Sequence, residues 1–239
     1  MQSWSVGILC FNEVDTIERV VLYARSVLQK ATDTYEVIVV DDYSTDGSRE
    51  KAIALGEKYP DVKVVLHEVN KGIGPGLRSV YANARYENVT VTAGDGQFDI
   101  AEYLQHAEMS PDTFVSYYRR ENTTYSLVRN VLSLFNKELN KVFVGIDLKD
   151  VNWTKVYKKA DVDRLDLHLH SSLVESEICA KLLYLGRKVI QVESKCLPRT
   201  HGQSKGSSAA IVRQAINDIW RLILIMRKFR KKIKKEGTF

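Results

Sequence analysis

The sequence predicts an α/β fold, a mainly parallel sheet flanked by helices, and three observations carry that expectation. Over the first hundred residues, β-branched apolar runs alternate with segments of helical periodicity. One of these runs, "YEVIVVDD", is apolar almost throughout, as a strand buried on both faces must be. Strands separated by helices in this way call for right-handed βαβ crossovers, which build parallel sheets covered on both sides.

The elements follow in order. "SVGILCF" is the first strand. Asp15-x-x-Glu18 has the form of a capping box and opens a helix whose apolar face is Ile17, Val20, Val21, Ala24, Val27 and Leu28. "YEVIVVDD" is the second strand; the turn "YSTDGS" leads into a helix from Arg49 to Lys58. "VKVVLHE" is the third strand, "NKGIGPG" a glycine-rich loop, "LRSVYANAR" a helix and "NVTVTAGD" the fourth strand. Further on, "TFVSYY" reads as a strand and "SLVRNVLSLFNKELNKVF" as a helix burying Leu127, Val131, Leu134, Phe135, Leu139, Val142 and Phe143. "SSLVESEICAKLLYLG" is a helix closed by Gly186, and "RKVIQVES" a strand. One domain is expected over 1–208, followed by a basic amphipathic helix over 209–239. Arg213, Asp218 and Arg221 interrupt the apolar stretch of that last segment, so it does not qualify as a membrane span.

Composition narrows the class. At 239 residues, 44% hydrophobic and 27% charged, the chain matches an ordinary globular protein, which argues against disorder and against a multi-span membrane protein. The net charge of +5 is concentrated at the end: from Arg227 to Phe239 seven cations face Glu236, net +6, so the rest of the chain carries −1. A near-neutral body with a basic tail favours a local electrostatic contact over a nucleic-acid partner. Three widely separated cysteines without a C-x-x-C pair fit a reducing, cytoplasmic setting, and the N-terminus lacks the basic start of a signal peptide.

Topology then gathers distant residues. Ligands of open α/β sheets bind beyond the carboxyl ends of the strands. Asn12 and Glu13 follow the first strand, Asp41 and Asp42 end the second, the glycine loop with Lys71 follows the third, and Asp95 ends the fourth. A carboxylate cluster of this kind could serve as paired acids, as acceptors for ribose or base, or as ligands of a hard cation. The glycines of "AGDGQFD" would let backbone approach a bulky polar ligand. His168-x-His170 with Glu175 and Glu177 does not have the spacing of a zinc site and reads as solvated or hydrogen-bonded.

"CFNE", "VIVVDDYSTDGS", "NKGIGPG" and "AGDGQFD", in that order and spacing, resemble the family 2 glycosyltransferases of GT-A fold. Arg129-x-x-x-Ser133-x-x-Asn136, "DVNWTKVYKK" and "CLPRTHGQSKGSS" make the second half similar to the polyprenyl-phosphate branch, to which dolichol-phosphate mannosyltransferase belongs. The resemblance implies an inverting, metal-dependent transfer from a nucleotide-sugar donor to a polyprenyl phosphate. Glu13, Asp41, Asp42, Lys71, Asp95, Arg199 and Ser204 would bind the donor, and Asp95 with Gln97 would hold Mg²⁺ or Mn²⁺. Arg119 and Arg129 would meet the acceptor phosphate, and Asp95, Arg129 and Asp150 would be catalytic. Two other readings stay open: a catalytically silent domain that binds a nucleotide or a partner, and a transferase to a glycan hydroxyl. Ala93 stands where the family's D-x-D motif has its first acid, and Leu9 and Phe11 replace its usual proline and tyrosine. If the acceptor is a lipid, Trp220, Leu222, Ile223, Ile225 and Phe229 beside the clustered cations would lie at an anionic inner membrane surface.

Overall fold

The computed structural model describes residues 2–105, 110–119, 141, 144–151, 153–195, 197 and 209–236, the last stretch with side chains from 217 to 235. Seven strands form one sheet: β1 (Trp4–Cys10), β2 (Tyr35–Asp41), β3 (Val62–Leu66), β4 (Asn88–Ala93), β5 (Thr113–Arg119), β6 (Lys155–Lys158) and β7 (Lys188–Ser194). Their order across the sheet is β3-β2-β1-β4-β6-β5-β7. β1 pairs in parallel with both β2 and β4, and β2 with β3, so four consecutive strands present their carboxyl ends along one edge. β6 alone runs the other way, antiparallel to β4 and β5, while β7 pairs in parallel with β5.

Seven helices are described: α1 (Ile17–Ala31), α2 (Ser48–Lys58), α3 (Ile73–Asn83), α4 (Ile100–Leu104), α5 (Lys159–Asp163), α6 (Val174–Tyr184) and α7 (Ala209–Glu236). The side-chain alternation of the strands divides the interior in two. Val6, Ile8, Val37 and Val39 point to the face covered by α1, α2 and α4, where Ile17, Val21, Leu28, Leu55 and Tyr103 meet them. Ile38, Val40, Val89 and Val91 point to the other face, under Leu77 and Val80 of α3, Ile178 of α6, and Leu222 and Met226 of α7. Val37 to Val40 of β2 are buried on both faces, each contributing roughly 1.5–3 kcal/mol relative to exposure, which accounts for the apolar run there.

Three local expectations are corrected. The capping box does not form: α1 starts at Ile17 with Thr16 at the N-cap, so Asp15 stands one residue too early to cap it; Thr16 makes no side-chain cap, and its hydroxyl donates to the carbonyl of Gly94 (2.7 Å). The "GIGPG" stretch is not a loop but the first turn of α3, where proline is tolerated because its missing N–H is one that has no helical partner. Gly74 is needed there for space rather than flexibility: a Cβ would stand 2.1 Å from the backbone oxygen of His170. Gly74→Ala is therefore expected to destabilise by about 1–3 kcal/mol or more, read as a lower denaturation midpoint; an unchanged midpoint would contradict this packing. Third, β6 is an element that sequence patterning did not find.

The close of α6 is as expected. Gly186 has φ +83°, its amide donates to Leu183, and the amide of Arg187 reaches back to Leu182, the paired bonds of a Schellman ending. The helix expected over 126–143 lies, apart from residue 141, outside the described residues. α7 begins at Ala209 and lays Ile219, Leu222, Ile223 and Met226 into the core. No helix among the described residues is long and apolar enough to cross a membrane.

Candidate active site

The parallel ladder extends past the strand ends and fixes the loops that follow. The amide of Asp42 donates to Cys10, that of His67 to Asp41, and that of Gly94 to Leu9, at 2.8–2.9 Å. Register places Cys10 beside Asp41 and Leu9 beside Ala93, so the residues after β1, β2, β3 and β4 share one rim.

Around β1 and β2 the rim is a network of short polar side chains. Asn12 holds a left-handed backbone (φ +56°) and its side-chain oxygen accepts from the amide of Thr45 (2.9 Å). The amide of Asn12 in turn donates to Ser44 Oγ (3.0 Å), and that of Glu13 to Ser48 Oγ (2.7 Å). Asp46 accepts from the amides of Val14 and Ser48, which ties the turn before α2 to the loop before α1. Burial, with the charge of Asp41 nearby, pushes the Cys10 thiol up to about 12 against the opposing bonds of Ser44 and Ser48. A thiol held neutral in this way is packing, not a nucleophile.

The two adjacent acids at the end of β2, Asp41 and Asp42, have different surroundings. Asp42 is fully engaged: Oδ1 meets His67 Nδ1 (2.7 Å) and the amide of Lys71 (2.9 Å), and Oδ2 accepts from the amide of Gly72 (2.8 Å). It therefore clamps the β3–α3 loop on which Lys71 sits. His67 continues to Ser79 Oγ (2.8 Å), an Asp–His–Ser chain by order. Ser79 lies inside α3, where its own amide belongs to the helix ladder and cannot form an oxyanion hole, so the chain is a brace rather than a hydrolytic triad. Asp41 is 0% exposed; Oδ2 accepts from the amide of Ser44 (3.2 Å) with Arg49 at 3.9 Å, and Oδ1 has no hydrogen-bond partner. Leaving a buried carboxylate oxygen unpaired costs about 1–3 kcal/mol or more, a cost that calls for a donor from elsewhere.

Asp95 is 3% exposed at the end of β4, and its Oδ1 accepts from the amide of Gln97 (3.0 Å). The glycines flanking it are also required by the protein's own structure. A Cβ on Gly94 would stand 3.1 Å from the carbonyl of Leu9, and Gly96 has φ +74°. Asp99, the acid that follows, caps α4 through the amide of Ala101 and accepts from the Tyr23 hydroxyl (2.7 Å). The carbonyl of Gln97 accepts from the amide of Leu197, which ties this loop to the segment after β7.

Beside the Asp95 loop, Phe98 stacks on Trp153 with ring centroids 4.1 Å apart. The Arg119 guanidinium stands 4.7 Å over the same indole, and its Nε donates to Asp150 Oδ2 (2.7 Å). The structure thus brings Arg119 and Asp150 together as an ion pair, two residues that the sequence assigned to separate tasks. Arg129, Arg199 and Ser204 lie outside the described residues. His67 and the Phe98–Trp153 platform were not found from the sequence. His67 carried a usable signal, a histidine directly after a strand at the binding edge.

Hard cations such as Mg²⁺ and Mn²⁺ take oxygen ligands and typically only one or two from protein, the rest from phosphate and water. A buried carboxylate at Asp95 and the side-chain carbonyl oxygen of Gln97 two residues on are a donor set of that type. No group of three His, Cys, Asp or Glu suited to a metal occurs among the described residues, and His168 instead faces Asp166 at 3.3 Å. Glu175 accepts from the hydroxyls of Tyr81 and Tyr157, and Glu177 from Lys181, so both are internal struts. A cleft of about 730 Å³ runs between α3 and residues 162–170 and touches the rim only at His67 and Lys71.

Comparison with known proteins follows this geometry. The family model described as Glycosyl transferase family 2 matches residues 5–150, which includes every rim residue above. Among solved structures, glucosyl-3-phosphoglycerate synthase from Mycobacterium tuberculosis with Mn²⁺, UDP and phosphoglyceric acid superposes with a TM-score of 0.64 at 20% identity, over 93% of this chain and 78% of that one. The same synthase with Mn²⁺, UDP-glucose and phosphoglyceric acid gives 0.66 at 19% identity, over 93% and 80%. A further crystal structure of the same synthase gives 0.63 at 22% identity, over 93% and 81%. The sheet order and flanking helices are those of the GT-A fold.

Proposed function

The chain belongs to glycosyl transferase family 2, and on that premise we propose that it moves a sugar, with inversion, from a nucleoside-diphosphate donor to an acceptor phosphate, a polyprenyl phosphate being favoured. The observation that carries the reading is the rim itself, where Asp41, Asp42, Lys71 and Asp95 converge and Asp41 keeps a buried acceptor oxygen without a donor.

In this reading a base N–H of the donor satisfies Asp41 Oδ1, with Glu13 and Lys71 holding the rest of the nucleoside. Asp42 acts through its clamp on the amides of Lys71 and Gly72. Asp95 and Gln97 would hold Mg²⁺ or Mn²⁺, which when bound would supply Lewis-acid stabilisation of the departing charge. An oxygen of the acceptor phosphate attacks the anomeric carbon as the bond to the diphosphate breaks, and the nucleoside diphosphate leaves with that electron pair. A phosphate monoester is already ionised near neutral pH, so no strong general base is required. Asp150 then serves to orient Arg119, whose planar fork suits phosphate oxygens, and Arg129, Arg199 and Ser204 are assigned to further phosphate contacts.

The related fold with UDP and phosphoglyceric acid supports a uridine donor and a phosphate-bearing acceptor, while the motifs of the second half support the lipid form of that acceptor. Thermal unfolding with UDP, GDP, CDP, ADP and dTDP, each with Mn²⁺ or EDTA, tests the donor half. One diphosphate, UDP first among them, should stabilise by about 2.7 kcal/mol at a hundred times its dissociation constant, and only with metal. Stabilisation by none of them would overturn the reading in favour of a silent domain.

A further inference from the structure

We infer that the solvent face of α7 is a docking surface for an anionic lipid bilayer, a function separate from the transfer reaction and independent of it. The structure revises which side chains are available for such a contact. Leu222 and Ile223 are buried in the core, and Phe229 packs edge-on against Tyr184 of α6 (6.0 Å). The outward side carries Trp220, 63% exposed, and Leu224, 55% exposed, followed by Arg227, Lys228, Lys231 and Lys235. At 3.6 residues per turn these six fall within about a third of the helix circumference, a single stripe on the side away from the core.

The stripe changes character along its length. Its first two turns are apolar, its later turns cationic, and no acid occurs from Ile219 to Lys235. Asp218, just before it, is buried and pairs with Arg221. An indole and a leucine beside long cationic side chains match the boundary of a bilayer, where the ring sits at headgroup depth and the ammonium groups meet lipid phosphate. The absence of acids sets two copies of this face against each other by like charge. A nucleic acid would engage the cations and leave Leu224 without a role.

Arg230, on the core side of the same helix, donates to the carbonyl of Val144 (2.9 Å) and helps hold α7 on the body of the protein, which leaves the stripe facing outward.

Tryptophan fluorescence of the 239-residue protein gives a direct readout, because Trp4 and Trp153 are buried and Trp220 is not. Mixing with phosphatidylcholine–phosphatidylglycerol vesicles should shift emission to the blue and carry the protein down on sedimentation, with release at high salt. Pure phosphatidylcholine vesicles should do neither. The triple variant K228E/K231E/K235E should lose on the order of 100-fold or more in vesicle affinity, with an unchanged thermal midpoint because all three side chains are exposed. Its transfer to a short, water-soluble acceptor phosphate should stay at the wild-type level, which separates this proposal from the one on the reaction. Equal binding to neutral and anionic vesicles, full binding by the triple variant, or tighter binding to RNA than to anionic vesicles would overturn it.

Discussion

Asp95→Ala is expected to reduce sugar transfer by on the order of 10³-fold, the equivalent of about 4 kcal/mol of lost transition-state stabilisation. Asp95 is the buried carboxylate at the end of β4, and Ala93 has no side-chain oxygen to contribute at the neighbouring position. A cation beside the leaving diphosphate would thus depend on Asp95 more heavily than in a site with two acids. Because Asp95 also accepts from the Gln97 amide, the substitution has a structural component, and Asp95→Asn separates the two. The asparagine keeps an acceptor for that amide but removes the charge, so it should fold normally while losing both turnover and the metal dependence of nucleotide binding. Turnover by Asp95→Asn within a few-fold of wild type would remove Asp95 from the metal site.

Glu177→Ala should cost about 3–5 kcal/mol of stability, the largest folding effect expected from a single side chain here. Glu177 is 0% and Lys181 1% exposed, and Lys181 Nζ donates to Glu177 Oε1 at 2.6 Å and to the carbonyl of Asp166. The same carboxylate accepts from the amides of His168 and Leu169, so it also secures the chain entering α6. Removing it strands a buried ammonium and two backbone donors together. Replacing both partners by apolar residues, as in E177L/K181M, removes the stranded charge and should recover a large part of the loss. Urea midpoints of the single and double variants check this; a single variant within about 1 kcal/mol of wild type would mean that water or a neighbour compensates the lysine.

How far the sequence could be read depends on which physical signal each element carries. β1 to β4 were legible because burial on both faces demands unbroken apolar runs, and the crossover rule then gathered Asp41, Asp42 and Asp95 on one rim. β6 was not, because two of its four residues are lysines, which pattern reading assigns to solvent. Both are buried: Lys155 donates to the carbonyls of Val151 and Trp153, and Lys158 to Glu87 and Asn88. Compensation of that kind depends on partners up to 71 residues away and leaves no periodic trace. The same holds at the site. The strand-end acids were found by position, whereas the division of labour between Asp41 and Asp42, and the pairing of Arg119 with Asp150 across 31 residues, exist only once the chain has folded. Asp99, the next acid after Asp95, has a structural task instead: it caps α4.

The central claim is a metal-dependent transfer from a nucleotide sugar to an acceptor phosphate. Its most direct test is release of nucleoside diphosphate from UDP-sugars by the purified protein, with and without a short-chain polyprenyl phosphate, in Mn²⁺ or EDTA. The account predicts release that requires both the acceptor phosphate and the metal and that disappears in Asp95→Ala. Release that is indifferent to the acceptor, or that persists in Asp95→Ala, would contradict it.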